Sequence, residues 1–249
     1  MSLLEGLLLA AAGLFAGFMN TVAGGGSLIT LPLLISFFGL PSSEANASNR
    51  VAIFAQNIFS VAGFRSKGVR VFPFAIYVAI PAILGAIIGS KIAVDINETI
   101  FNRILAIIML MVMTLTIFKP SIKKQAEEML TTKKIWISVV AFFFVGIYGG
   151  FIQAGIGFIM IATLTAIHGF NMAKTNAIKV FVALSYTVAA LVVFYLSGKI
   201  NWEYGLVLAA GQSIGGWVAS RWSVGVNDRV IRMILLVTVI ALSIKLWFF

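Results

Sequence analysis

The sequence predicts an all-α integral membrane protein: about eight hydrophobic segments in two inverted, V-shaped repeats, each containing a helix broken by glycine. Three observations predict it. Of 249 residues, 61% are hydrophobic and only 10% are charged, whereas a soluble domain carries about 25% charged residues. A chain with so few charges cannot cover a globular surface with polar groups, so its solvent is lipid. Apolar runs of about 20 residues, enough to cross a bilayer as a helix, recur along the chain. The second half also repeats the first.

Taken in order, helix 1 is expected over 3–22. It breaks at Gly24-Gly25-Gly26, because each glycine inside a helix costs roughly 1 kcal/mol relative to Ala. A short arm follows over 28–38. Helices 2, 3 and 4 are expected at 44–64, 71–93 and 99–118. The stretch KPSIKKQAEEMLTTKK, 119–134, is the only long hydrophilic segment. It links a first transmembrane repeat, 1–118, to a second, 135–249. The second repeat opens with 135–153, breaks at glycine again, and resumes over 158–167. Helices at 173–197, 202–222 and 228–248 complete it. The first 22 residues do not read as a signal peptide, since the leading region has Glu5 and no Lys or Arg.

The duplication is legible residue by residue. At an offset of 130, Gly68 falls on Gly198, Gly85 on Gly215, and Ser90-Lys91 on Ser220-Arg221. Arg50-Val51 falls on Lys179-Val180 at an offset of 129. Gly13 and Gly17 fall on Gly146 and Gly150 at an offset of 133, which sets Asn20 and Gln153 at matching positions before the two breaks. Duplicated halves with a site at their interface are the build of many transporters. Charge decides their orientation. If each broken element crosses the membrane, the 18 Lys and Arg split 10 to 8 between the two sides. If each is a V that returns to its own side, they split 13 to 5. Basic residues concentrate on the cytoplasmic side, which favours the V, inverted repeats and both termini outside. Against this, residues 3–22 at about 1.5 Å each are long enough to span unbroken.

The net charge of +10 is read as basic flanks of membrane helices and not as a nucleic-acid surface, since no polar domain interleaves basic and aromatic residues. The chain has no cysteine, which excludes disulfides and thiolate metal sites. No metal or cofactor is expected.

Backbone that leaves the helix inside a membrane must be buried in protein or face water. Gly24, Gly25, Gly26 and Ser27, and Gly155 and Gly157, are therefore expected to line a cavity. Each arm after a break starts a helix, whose free N–H groups attract an anion. Pro32, early in the first arm, further weakens the helical ladder. Helix 2 carries Asn46, Asn49, Arg50, Gln56 and Asn57, too many polar groups for a lipid-facing surface. Its counterpart offers Asn176, Lys179, Ser185 and Tyr186. Ionisable residues inside a membrane point to function. The alternative for Arg50 and Lys179, both near helix starts, is to snorkel to the headgroups. Asn20, Gln153 and Gln212 complete the candidate wall. His168, the only histidine, is expected at the surface in a loop. Glu5, Glu44, Asp95, Glu98, Glu127, Glu128, Glu203 and Asp228 fall in loops or at helix ends. The fixed charges near the centre are then positive, and such a site suits an anion. An inside-negative potential drives anions outward by about 2.3 kcal/mol per charge per 100 mV.

The first break, in GLFAGFMNTVAGGGSLITLPLL, resembles the signature of the TauE/SafE family of sulfite exporters. The following EANASNRVA and the duplicated eight-segment layout resemble it too, over essentially the whole chain. The second half departs from the pattern: AGIGF replaces a glycine triplet and no proline follows. The resemblance implies a multi-pass transporter of the cell (inner or plasma) membrane, a homodimer of inverted repeats, exporting sulfite or small sulfonates. Three rivals stand beside it: uptake of another small anion by the same fold, a non-transporting scaffold subunit, and an intramembrane enzyme. One His, no Cys and no mid-membrane acid leave the enzyme little to work with.

Overall fold

The first helix starts where the sequence supplies a cap. The Ser2 hydroxyl accepts from the Glu5 N–H, and the Glu5 carboxylate accepts from the Ser2 N–H, satisfying two of the free donors at the start of α1 (Leu3–Val22). The computed structural model describes residues 1–117, 128–226, 230 and 233. After α1 the chain turns through Gly24, at φ +91°, into α2 (Ser27–Pro32). One π-helical turn, Leu33–Phe37, continues it, where Pro32 cannot supply a backbone N–H to the ladder. Seven more helices follow among the described residues: α3 (Ser42–Ser66), α4 (Phe74–Asp95), α5 (Glu98–Ile117), α6 (Thr132–Phe151), α7 (Ile156–His168), α8 (Met172–Leu196) and α9 (Trp202–Ser223). There is no strand among them. The expected segments agree within a few residues at each end. Residues 119–127 of the polar stretch lie outside the described residues, as does the expected helix at 228–248 apart from residues 230 and 233.

Among the described residues α1, α4, α6 and α8 are long and apolar enough to cross a membrane. Their outer faces expose Leu7, Phe15, Ile80, Phe144 and Val192, surface that water would not tolerate and lipid does. The polar helix α3 lies inside, with Asn46, Asn49, Arg50, Gln56, Asn57 and Ser60 all buried.

The two halves interlock reciprocally. α1 packs on α9 as α6 packs on α4, α3 packs on α9 as α8 packs on α4, and α3 touches α8. Small residues allow the close approach. A Cβ at Gly215 would overlap the Leu14 carbonyl, and one at Gly85 would overlap the Phe143 carbonyl. These contacts correct the register read from sequence. Gly17 abuts the Gln212 carbonyl and Gly146 abuts the Ala82 carbonyl. Ala82 and Gln212 are 130 apart, so Gly17 corresponds to Gly146 at an offset of 129, not to Gly150 at 133.

Contacts also group the helix ends. The Met1 ammonium pairs with Glu203 at 3.0 Å, and the Asn201 N–H donates to Ser48 Oγ at 2.9 Å. α1 and α3 thus begin beside the start of α9. At the far end of α3, Gly63 abuts Ser220 near the end of α9. There the starts of α4 and α6 converge on His168. Its ring lies 4.6 Å from that of Phe74 and stacks on Phe170. One ring nitrogen is 2.8 Å from Ser138 Oγ and the other 2.9 Å from the Met129 carbonyl. His168 is therefore buried, not the surface residue expected from sequence: two aromatic rings and α6 close over it.

Candidate functional site

The two glycine breaks meet. A Cβ on Gly24 would overlap Gly157 Cα, and a Cβ on Gly157 would overlap Gly24 Cα. Only a pair of glycines lets the two chains touch backbone to backbone. Gly26 abuts the Ala16 carbonyl, Gly25 lies against the Phe158 ring, and Gly155 turns the chain into α7 at φ +70°.

A helix that ends inside a protein leaves carbonyls without partners and a negative dipole end. Each break solves this with a cation from the opposite half. Arg50, on α3, sits at the end of α6. Its Nη1 donates to the Gly149 carbonyl, and to Gln153 Oε1 at 2.5 Å. Its Nη2 donates to the Gly150 carbonyl at 3.0 Å and to Asn46 Oδ1 at 3.3 Å. Asn46 Nδ2 takes the next carbonyl, Phe151, at 2.8 Å. Lys179, on α8, sits at the end of α1. Its Nζ donates to the carbonyls of Asn20 and Thr21 at 2.9 and 2.8 Å and to Asn176 Oδ1 at 2.9 Å. Asn176 Nδ2 donates to the Val22 carbonyl at 3.1 Å. The carbonyls taken, 20–22 and 149–151, again differ by 129. Asn20 thus corresponds to Gly149, and Gln153 to Gly24, correcting the match of Asn20 with Gln153.

Arg50 is 0% exposed and Lys179 3%, which rules out snorkelling to the headgroups for both. The ion pairs among the described residues are Met1–Glu203 and Lys174–Glu128, both towards the surface. No described carboxylate pairs with Arg50 or Lys179.

Beside this junction lies a cavity lined by Asn20, Asn57, Gln153, Gly157, Lys179 and Tyr186, with an apolar wall that includes Met160 and Ala183. Its room of about 10 Å³ holds about one water molecule. Asn57 is 1% exposed and its Nδ2 has no hydrogen-bond partner. An unpaired buried donor costs roughly 1–3 kcal/mol, so an acceptor entering the cavity would relieve it.

The remaining candidates fall around this centre. Asn49 accepts from Thr30 Oγ1 at 2.8 Å and donates to Ser27 Oγ at 3.4 Å, holding α2 on α3. Gln212 does not line the cavity. It is buried on α9 against Gly17, with Oε1 unpartnered. Sequence reasoning did not single out Thr21 and Ser60, which join Gln56 and Asn20 in one chain of hydrogen bonds at 2.9, 3.1 and 2.9 Å. The spacing of Gln56 and Ser60, one helical turn apart beside Asn57, was the available signal.

Residues 9–246 match the model of the family described as Sulfite exporter TauE/SafE. The chain belongs to the TauE/SafE family. It is similar to curated relatives over 94% of its length: 27% identical to "Probable membrane transporter protein ORF9" of Sinorhizobium sp, across 89% of that protein. It is 25% identical to a "Probable membrane transporter protein" of Haemophilus influenzae, across 91%. To "Probable membrane transporter protein YfcA" of Escherichia coli K12 the identity is 26%, across 86%. No solved structure matches it. As a TauE/SafE chain with four long apolar helices among its described residues, it is a membrane transporter.

Proposed function

We propose that this TauE/SafE chain exports sulfite or a small sulfonate across the cell membrane. One observation carries the reading: a cavity lined by Lys179 and by Asn57, whose Nδ2 is unpaired, has a second buried cation, Arg50, behind its Gln153 wall, and neither cation has a carboxylate partner. The cations' hydrogen bonds go to backbone carbonyls and side-chain amide oxygens, with Arg50 Nε left unpartnered, and their charge is not cancelled by any described acid. In a medium of low dielectric that charge acts over several ångströms, and an anion in the cavity completes it. Asn57 Nδ2 then serves one of its oxygens. Gly157, at the start of α7, adds the positive end of a helix.

The cavity holds about one water, and a sulfite ion has four heavy atoms. Entry therefore needs the two breaks to separate, and the Gly24–Gly157 contact is where they part. The common start of α1, α3 and α9, with α4 and α6 starting at the other end of α3, supports a V-shaped first element and inverted halves. The 13 to 5 charge split then sets the termini outside, and the membrane potential drives an anion out without a coupling ion.

The test is flux from purified protein in liposomes, with sulfite, sulfate and short sulfonates under an imposed potential. Sulfite or sulfonate efflux that rises with inside-negative potential is expected. Arg50→Gln and Lys179→Gln should each reduce it at least tenfold. Wild-type protein that moves none of these anions, or variants that move them as fast, would overturn the reading.

A further inference from the structure

Arg50 and Lys179 are matched in their hydrogen bonds, but not in their access to the cavity. Lys179 lines it. Arg50 does not, because the Gln153 side chain stands between them. Gln153 Oε1 accepts from Arg50 Nη1 at 2.5 Å, and Gln153 Nε2 donates to Tyr186 Oη at 3.0 Å. Gln153 and Tyr186 both line the cavity. One side chain thus ties α3 of the first half to α8 of the second across the cavity wall.

The backbone there is unusual. Gln153 has φ +59°, the only residue other than glycine with positive φ among the described residues. Its counterpart in the first half is Gly24, which takes positive φ without strain. A residue other than glycine in this region costs of order 1–3 kcal/mol and persists only where its surroundings hold it. The chain retains Gln at a position that suits Gly, and its amide does what glycine cannot: it places a neutral oxygen on a buried guanidinium.

We propose that Gln153 is the gate of the anion site. Its Oε1 occupies the place at Arg50 that an oxyanion's oxygen takes. Entry of the anion beside Lys179 displaces the amide, releases Tyr186, and brings the second cation into contact with the ligand. The ligand class is an oxyanion with at least two oxygens, one for Asn57 and Lys179 and one for Arg50. This inference rests on the anion reading above.

The test uses full-length protein and sulfite as the probe, measured by thermal shift and by liposome flux. Gln153→Gly keeps the positive φ and removes the competing oxygen. Expected are an apparent Kd and KM for sulfite about tenfold lower than wild type, the scale of a hydrogen bond to a charged group. Gln153→Glu places a permanent carboxylate on Arg50. Expected is a protein at least as heat-stable as wild type whose Tm no longer rises with sulfite and whose flux falls at least tenfold. A merely structural Gln153 predicts the opposite pattern: both variants lose stability and Gln153→Gly binds no tighter, which would overturn the gate. If wild-type protein neither binds nor moves sulfite or a sulfonate, the anion reading itself has failed, and the gate with it.

Discussion

At Asn57 stability and function pull apart. Its Nδ2 is buried and unpartnered, so without a ligand it is a net cost to the fold, while the anion reading makes it a direct contact. Asn57→Leu, with the same branching and number of heavy atoms, removes the cost and the contact together. The expected outcome is a Tm unchanged or raised, corresponding to up to about 1–2 kcal/mol, with KM for sulfite raised about tenfold. Thermal unfolding and flux on the same preparation check it; a lower Tm with unchanged KM would show that Asn57 is structural. Arg50 and Asn46 were legible in sequence because helix 2 carries too many polar groups for a lipid-facing surface, and Lys179 and Asn176 as the polar residues of its counterpart. Their partners were not. A carbonyl at the end of another helix has no letter in the sequence, so the capping of α6 by Arg50 and of α1 by Lys179 emerged only in three dimensions. His168 failed for a related reason: nothing near it in sequence announces that Phe74, nearly a hundred residues earlier, covers its ring.

Helix boundaries were legible because glycine and proline punctuate apolar runs. The register of the repeat was not, and the cause is physical. Gly13 and Gly17 are spaced by four, as are Gly146 and Gly150. A shift of one helical turn still lays one glycine of such a pair on another, so the offset 133 aligns both and 129 still aligns Gly17 with Gly146. Packing breaks the tie, since Gly17 and Gly146 meet corresponding carbonyls on α9 and α4. The same contacts make the junction of the breaks testable. Gly24 and Gly68 both have positive φ, but a Cβ at Gly68 meets open space, while one at Gly24 meets the backbone of Gly157. Gly68→Ala bears the backbone strain alone, about 1–2 kcal/mol. Gly24→Ala adds overpacking of about 1–3 kcal/mol against backbone that cannot rotate away. Unfolding in detergent should show Gly24→Ala clearly less stable than Gly68→Ala, and Gly157→Ala, with no positive φ to strain, should lose the overpacking part alone. Equal losses at 24 and 68 would mean that the breaks do not touch.

Topology unites the charge pattern with the packing. α1 is 20 residues long, about 30 Å at 1.5 Å per residue, so length alone permits it to cross. Its contacts point otherwise. Met1 lies at Glu203, beside the start of α9, and Ser48, early in α3, lies at Asn201. An element that crossed would deliver α3 to the side opposite Met1, whereas both begin at one end of α9. On the proposed inverted-repeat reading, the chain enters, turns at Gly24 and returns. That places residue 2 and residue 67, before and after α3, on opposite sides of the membrane; a crossing element would place them on the same side. The absence of cysteine makes the experiment clean, since Ser2→Cys or Lys67→Cys introduces a single thiol. In intact cells an impermeant maleimide is expected to label position 2 and not position 67, with position 67 labelled once the membrane is opened. Labelling of both from one side would replace the V with a full crossing, and the basic residues would then lose their 13 to 5 bias. The inside-negative potential could no longer be assigned to one end of the anion path.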